Sequence, residues 1–476
     1  MGTHHTATPN LNEKFEFTGS LRKVLFGMMG AGLLGLVLVF FLYPENHHGR
    51  FWSNVLTNVY YFTGISLFGL FAVAAAQLAY GGWNTLVKRI LISLGSFAMI
   101  GGFLLLIILV TGLLGWHNLY EHVEHIMHDH DNEKYTNKHI FFNTKFWVLR
   151  LVVYALLWAA LSYTFDKFFG EKDQTDVKVY KQSKLLAAAF IVVFAVTESF
   201  VSWDMVMSLD PHWYSTLFGW YNFASYGCAA WAMTILLVIY LKSKGYLEVV
   251  NENHIHDLGK FLFGFSIFWT YLWFSQFMLQ WYGNIPEDTN FWVKRFNTGY
   301  FKFTIFLALI INFLFPLLFL IKRGAKRNFK MIGFGAALLI VGHYIDFFNY
   351  TFFEPVVCEA PKADEHHGGE HHSANSANTV LYAEAHTDAK GHEGAATDAP
   401  AHAAPAAHGE EAHGGGHAPH GELIHCATIG IGEILVFVGF LGLFLYMFFT
   451  RLSKRNLIIE KDPYLGENIR LNVTWS

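Results

Sequence analysis

The sequence predicts an all-α integral membrane protein of ten transmembrane helices, and three observations carry that prediction. Of 476 residues, 53% are hydrophobic and only 15% charged, against about 25% charged in an ordinary soluble domain. Ten segments are apolar over about 20 residues or more, the length of helix that crosses a hydrocarbon core of about 30 Å. Lys and Arg fall unevenly on alternate connections, 23 on one set and 8 on the other, the asymmetry that retention of basic residues in the cytoplasm produces.

The spans are placed at about 24–43, 54–80, 90–116, 146–165, 184–204, 215–241, 260–282, 300–321, 330–350 and 423–449. Residues 1–350 thus hold helices one to nine, 351–422 an insertion, 423–449 helix ten and 450–476 a tail. Trp83, Trp116, Trp213 and Trp281 sit where an aromatic headgroup belt is expected. The basic set includes both ends of the chain, so both termini of this multi-pass chain are expected in the cytoplasm. The first apolar run is full length and has no small-residue cleavage site, so nothing resembles a cleaved signal peptide. Gly27, Gly30, Gly32 and Gly35 in span one read as a small-residue packing face.

Composition excludes several chemistries. A net charge of −4 argues against nucleic-acid binding, and three cysteines cannot supply the four thiolates of a ferredoxin-type cluster. C-x-x-C-H is absent, as is G-x-x-x-x-G-K-[ST]. A b-type haem between helices needs two embedded histidines, and only His343 is deep, with His425 at the rim. No metal site is therefore expected in this chain.

Two outer connections stand apart. Residues 359–421 are Ala-, Gly- and His-rich with one aromatic, Tyr382, a composition unable to bury enough apolar surface to fold alone. Its eleven histidines show no compact ligand spacing. Residues 117–135 place His122, His125, Glu121 and Glu124 at helical spacing and read as a solvated interfacial helix. Cys358 and Cys426 bracket the insertion and are a disulfide candidate in an oxidising compartment, while Cys228 reads as packing.

Ionisable residues inside spans are expensive and by default functional. Here they are Glu198 and Asp204 in or at the end of span five, His343 and Asp346 in span nine, and Glu433, placed near mid-membrane in span ten. These five are candidates for a proton path or for hydrogen bonding a redox headgroup, chemistry suited to carboxylates and imidazole. Interhelical glue is the competing reading, and it is the expected one for Gln276, Gln280 and Asn222. Arg150 and Lys302, near span ends, read as snorkelling anchors. The acids cluster towards one side, so the chain alone supports a half-channel and not a complete charged path.

Residues 198–227 read ESFVSWDMVMSLDPHWYSTLFGWYNFASYG, a helix ending in Trp203 and Asp204, a turn at Asp210 and Pro211, and an aromatic re-entry through Trp213 and Tyr214. This run resembles the integral membrane subunits of bacterial alternative complex III, a quinol:cytochrome c oxidoreductase, which belong to the NrfD/PsrC-like family. The resemblance covers roughly residues 20–450 and favours an ActF-like over an ActC-like subunit. It implies two four-helix bundles, spans two to five and six to nine, with two peripheral helices. It also implies partners: an ActC-like homologue, other membrane and periplasmic subunits, and iron–sulfur and cytochrome c subunits that carry the clusters and haem c. No cofactor is expected on this chain itself, and a quinone-binding site is left open. Two other readings stay open: a structural assembly subunit without redox or proton role, and a secondary transporter. Only Pro316 visibly interrupts a span, where transporters tend to break helices in both halves.

Overall fold

The computed structural model describes residues 11–120, 123, 141–210, 213–352, 357–359, 423–425 and 429–470. The chain divides into a helical body, residues 1–358 and 425–476, and a small unit of residues 359–424. Two three-residue strands, β1 (Val357–Glu359) and β2 (Leu423–His425), fall at the two boundaries between these units. The His-rich stretch, the helix expected over 117–135 apart from Leu119, Tyr120 and their immediate neighbours, Pro211, Cys426 and the side chain of Cys358 lie outside the described residues, and with them the disulfide candidate.

Among the described residues ten helical segments are long and apolar enough to cross a membrane, and the protein is an all-α, multi-pass membrane protein. The helices are α1 (Gly19–Leu42), α2 (Glu45–Leu78), α3 (Lys88–Leu94), α4 (Ala98–Leu113), α5 (Thr144–Gly170), α6 (Val177–Met205), α7 (Phe218–Ser243), α8 (Glu252–Gly283), α9 (Pro286–Asn297), α10 (Gly299–Leu309), α11 (Arg323–Arg327), α12 (Phe329–Thr351), α13 (Ile431–Leu452) and α14 (Leu465–Ile469). Their starts follow capping chemistry. Thr18, Asn143, Asp176 and Asn328 each accept a backbone N–H of the first turn of α1, α5, α6 and α12. Asn251 caps α8 in a reciprocal box with His254. That helix stops at Asn284, in the left-handed conformation with φ 49°, and Pro286 opens α9 two residues later.

Helices α2, α3–α4, α5 and α6 form one four-helix bundle, and α7, α8, α10 and α12 a second. α2 and α7 pack on each other between them and are the most enclosed spans, with 89% and 83% of their apolar windows buried. α1 and α13 form a pair that packs on the rest mainly through α2 and α3. Residues 11–18 and the tail after α13 meet on one face, where the Leu457 N–H donates to the Glu13 carbonyl. That side is the terminal face; the opposite side is the distal face.

Without a hydrophobic drive between helices in lipid, close backbone approach supplies the packing energy. Gly32 of α1 meets Gly439 of α13 backbone to backbone, and a Cβ on Gly35 would reach the Gly432 carbonyl oxygen at 2.8 Å. Gly27 and Gly30 have nothing within 4 Å of such a Cβ, so the glycine face expected from sequence is Gly32 and Gly35 only. Gly439→Leu is accordingly expected to pry α1 from α13 at a cost of about 1–3 kcal/mol. Thermal melts in detergent should show it, and Gly30→Leu should melt like the parent.

Three elements depart from the sequence expectation. Span ten begins at Ile431 and not near 423, because Gly430 caps it and residues 423–425 are strand. Residues 286–297, expected as a connection, form α9 across the distal end of the second bundle, where Phe291 stacks on Trp213 at 4.0 Å. Trp213 is therefore buried rather than in a belt position, whereas Trp116 and Trp281 are 65% and 46% exposed. Span three is broken between Leu94 and Ala98, and Ser66 of α2 fills the gap, its Oγ donating to the Leu94 carbonyl and accepting from the Ala98 N–H. Around Pro316 the eighth span widens into π turns, Ile310–Leu314 and Pro316–Leu320, which absorb the missing N–H.

Candidate functional site

The buried carboxyl groups of Glu198, Asp346, Asp204 and Glu433 organise the distal half. Glu198 lies on α6 with both carboxylate oxygens in contact with hydroxyls: Ser202 Oγ is 3.1 Å from Oε1 and Ser199 Oγ is 3.4 Å from Oε2. Tyr60 of α2 extends the chain, its hydroxyl 2.7 Å from Ser202 Oγ. Tyr226 of α7 borders the same small cavity, which also touches Thr63, Trp158 and Leu105. Its volume of about 20 Å³ holds about one water. Among the described residues no ion pair involves Glu198. Hydroxyls donate or accept by rotation, so this environment accommodates the carboxyl with or without its proton.

Asp346 on α12 is the counterpart in the second bundle. Tyr221 donates to Oδ1, while Ser225 Oγ and Trp269 Nε1 donate to Oδ2 at 2.9 and 3.0 Å. Ser225 also lies 2.9 Å from His343 Nδ1. His343 is fully buried, its ring edge-on to Trp269, and its Nε2 has no hydrogen-bond partner among the described residues. Asp346 also borders a small cavity lined by Phe291, Trp292 and Arg295 of α9.

The two acid clusters share the central helices. On α7, Ser225 serves Asp346 while the neighbouring Tyr226 faces Glu198. On α2, Tyr60 serves the Glu198 side while Tyr61 donates to the Ile340 carbonyl of α12 at 2.8 Å. Adjacent residues on a helix point about 100° apart, so one helix can furnish two bundles.

The other acids are ion-paired. Asp204 receives Arg150 in a bidentate bridge, Nη2 to Oδ1 at 2.6 Å and Nε to Oδ2 at 3.2 Å, and Arg150 Nη1 donates to the Phe141 carbonyl. Arg150 is only 6% exposed, so it is a buried counter-ion and not the snorkelling anchor expected from sequence; Lys302 is exposed as expected. Glu433 pairs with Arg50, Nε to Oε1 at 2.6 Å, and its Oε2 accepts the Gly430 N–H at 2.8 Å. It stands in the first turn of α13 at the distal end, because that helix starts at Ile431; the mid-membrane placement is corrected. Asp204 and Glu433 hold helices together, while Glu198, His343 and Asp346 remain as groups whose partners are neutral.

Gln276 accepts from Ser215, and Gln280 accepts from Trp213 and Trp292 while donating to the Tyr214 carbonyl, a tie between the segment that precedes α7 and the helices α8 and α9. Asn222 is buried with neither amide atom hydrogen-bonded among the described residues. Cys228 packs with its Sγ 3.2 Å from Ser266 Oγ. Sequence reasoning passed over Tyr60, Tyr221, Tyr226, Ser202, Ser225 and Trp269, whose hydroxyls and indole surround the acids. The i, i+4 spacing of Tyr221 and Ser225, with Asn222 and Tyr226 offset by one, was the available signal.

At the distal rim, beyond the end of span three, His117 is 2% exposed beneath Trp52, its Nε2 3.0 Å from the Ile108 carbonyl and its Nδ1 accepting the Leu119 N–H. Burial pushes this imidazole down to about 4, against the opposing pull of the Ile108 carbonyl. A histidine with a lowered folded pKa contributes stability above its unfolded value of about 6.5 and loses it as pH falls towards 4. Acidification across that window is expected to weaken this corner by up to about 3 kcal/mol. His117→Gln should flatten that part of a melting-temperature against pH profile.

Among the described residues no group of three or more His, Cys, Asp or Glu side chains is arranged to hold a metal ion. No protein-family model matches the chain, and no curated protein matches it significantly.

Proposed function

We propose that this chain is an NrfD/PsrC-like, ActF-like membrane subunit of a respiratory quinol:cytochrome c oxidoreductase, the alternative complex III type, in a bacterial inner membrane with both termini cytoplasmic. The observation that carries the reading is the segment 198–227. Its sequence resembles that family, and it supplies Glu198, Ser202, Tyr221, Ser225 and Tyr226 to the two buried acid clusters. Two four-helix bundles flanked by a helix pair agree with the same reading. The terminal face would then be cytoplasmic, and the acids would lie towards the periplasm.

In that role electrons leave quinol through iron–sulfur and haem c partner subunits, and this chain contributes helix packing, docking surface and a proton half-route. Glu198 and Asp346 are the groups suited to accept and release protons, since each is held by neutral donors and borders a cavity. His343 reaches Asp346 through Ser225. Purification through a C-terminal tag in mild detergent tests the reading: recovery of haem c and iron–sulfur subunits with quinol oxidation supports it, and a lone haem-free polypeptide sinks it. A secondary transporter is the second reading, favoured by the helix interruptions at 95–97 and around Pro316, one in each half. The two interruptions fall in the second helix of one bundle and the third of the other, so they do not correspond as repeated elements.

A further inference from the structure

The terminal face carries a second concave site, of about 350 Å³, formed by the end of α5, the start of α3, the N-terminal segment and the tail after α13. Six cations line it, Lys14, Arg89, Lys172, Lys454, Arg455 and Lys461, against two carboxylates, Glu171 and Glu460. Glu171 is already taken by Arg455, and Lys461 pairs with Asp173 outside the pocket at 3.5 Å. Arg89 is 4% exposed and anchored by its Nε to the Asn456 carbonyl and by its Nη2 to the Gly170 carbonyl. Its buried Nη1 has no hydrogen-bond acceptor among the described residues, with Asp166 at 3.7 Å, a carboxylate it shares with Arg451 and Arg455. Lys14, Lys172 and Lys454 make no ion pair among the described residues.

The geometry points to a binding site for a phosphate-bearing anion here, the headgroup of an anionic phospholipid. A phosphodiester presents several acceptor oxygens to a ring of donors, and a basic pocket at the end of membrane helices is where such a headgroup sits. Continuity with the lipid-facing surface selects the lipid source over a soluble one. Leu149, Val153, Leu156 and Tyr163 form one exposed apolar stripe along α5, which ends at Gly170 on the pocket wall. Acyl chains can lie along that stripe while the phosphate sits among the lysines.

The test is binding of fluorescent phosphatidylglycerol to the full purified chain in neutral detergent, with phosphatidylcholine as the comparison and inorganic phosphate as competitor. Phosphatidylglycerol is expected to bind in preference to phosphatidylcholine and to resist phosphate. Lys14→Ala, Lys172→Ala and Lys454→Ala should each weaken it about fivefold. These lysines hold no described structural ion pair, so the variants keep the fold. A triple change at Lys178, Lys181 and Lys244, on the same face outside the pocket, is expected to leave binding near the parent value. Displacement by inorganic phosphate with no lipid preference keeps the anion site and gives it to a soluble phosphate. Equal binding of both lipids without phosphate competition, or equal loss in the control triple, overturns the site.

Discussion

Replacing Arg150 by alanine is expected to remove about 3–5 kcal/mol of stability, the cost of leaving a buried carboxylate without its counter-ion. Asp204 is fully enclosed, and both its oxygens are occupied by the one guanidinium. Water cannot replace that partner, since Phe141 and Phe146 cover the guanidinium at 4.0 and 4.5 Å. Asp204→Ala is expected to be equally damaging by stranding the cation. The bridge ties α5 to the end of α6, so the loss should appear as a lower melting temperature and poorer recovery from size exclusion in detergent. The double change Arg150→Met/Asp204→Leu removes both charges and fills their space, and it should recover much of the loss. If either single change melts no lower than the double, the pair is not the structural tie it is taken for here.

The helices were legible because a membrane leaves the backbone no other way to satisfy its hydrogen bonds. Glu198, His343 and Asp346 were legible for a related reason, as charge is rare enough in a span to stand out. What surrounds them was not. Tyr221, Ser225 and Trp269 are ordinary residues for an aromatic-rich span, and only the packing of α7, α8 and α12 shows that they converge on Asp346. Arg150 lies six residues inside α5, near enough to an end to suggest snorkelling, and its partner sits on another helix.

Other misses carried a readable signal that the search for apolar runs overrode. Gly430 with Glu433 three residues on is a capping pattern that marks the true start of α13. Pro286 at the first helical position, acids at 287 and 288, and Lys294 and Arg295 in the last turn spell out α9 as a helix. The break at Gly95 and Ser96 had the least to offer, because the apolar run continues through it and the compensating Ser66 comes from a different helix.

In the respiratory complex proposed here, Glu198→Gln and Asp346→Asn are each expected to slow quinol turnover by about 100-fold, the low end for removing a positioned proton-transfer group. Both changes preserve shape, and the surrounding donors show why assembly should survive. At Asp346 the indole of Trp269 can only donate, so the amide oxygen of an asparagine would stay on the Trp269 and Ser225 side. Its amino group would then face Tyr221, whose hydroxyl can turn from donor to acceptor. At Glu198 the Ser199, Ser202 and Tyr60 hydroxyls rearrange in the same way around a glutamine. An interhelical-glue role would therefore tolerate both amides, whereas proton transfer would not, since an amide neither takes nor gives a proton at neutral pH. Haem and iron–sulfur content of the purified variants reports assembly, and turnover reports the route. Parent-level turnover in both variants, with full cofactor content, would remove Glu198 and Asp346 from any proton path and leave the chain as packing for its partners.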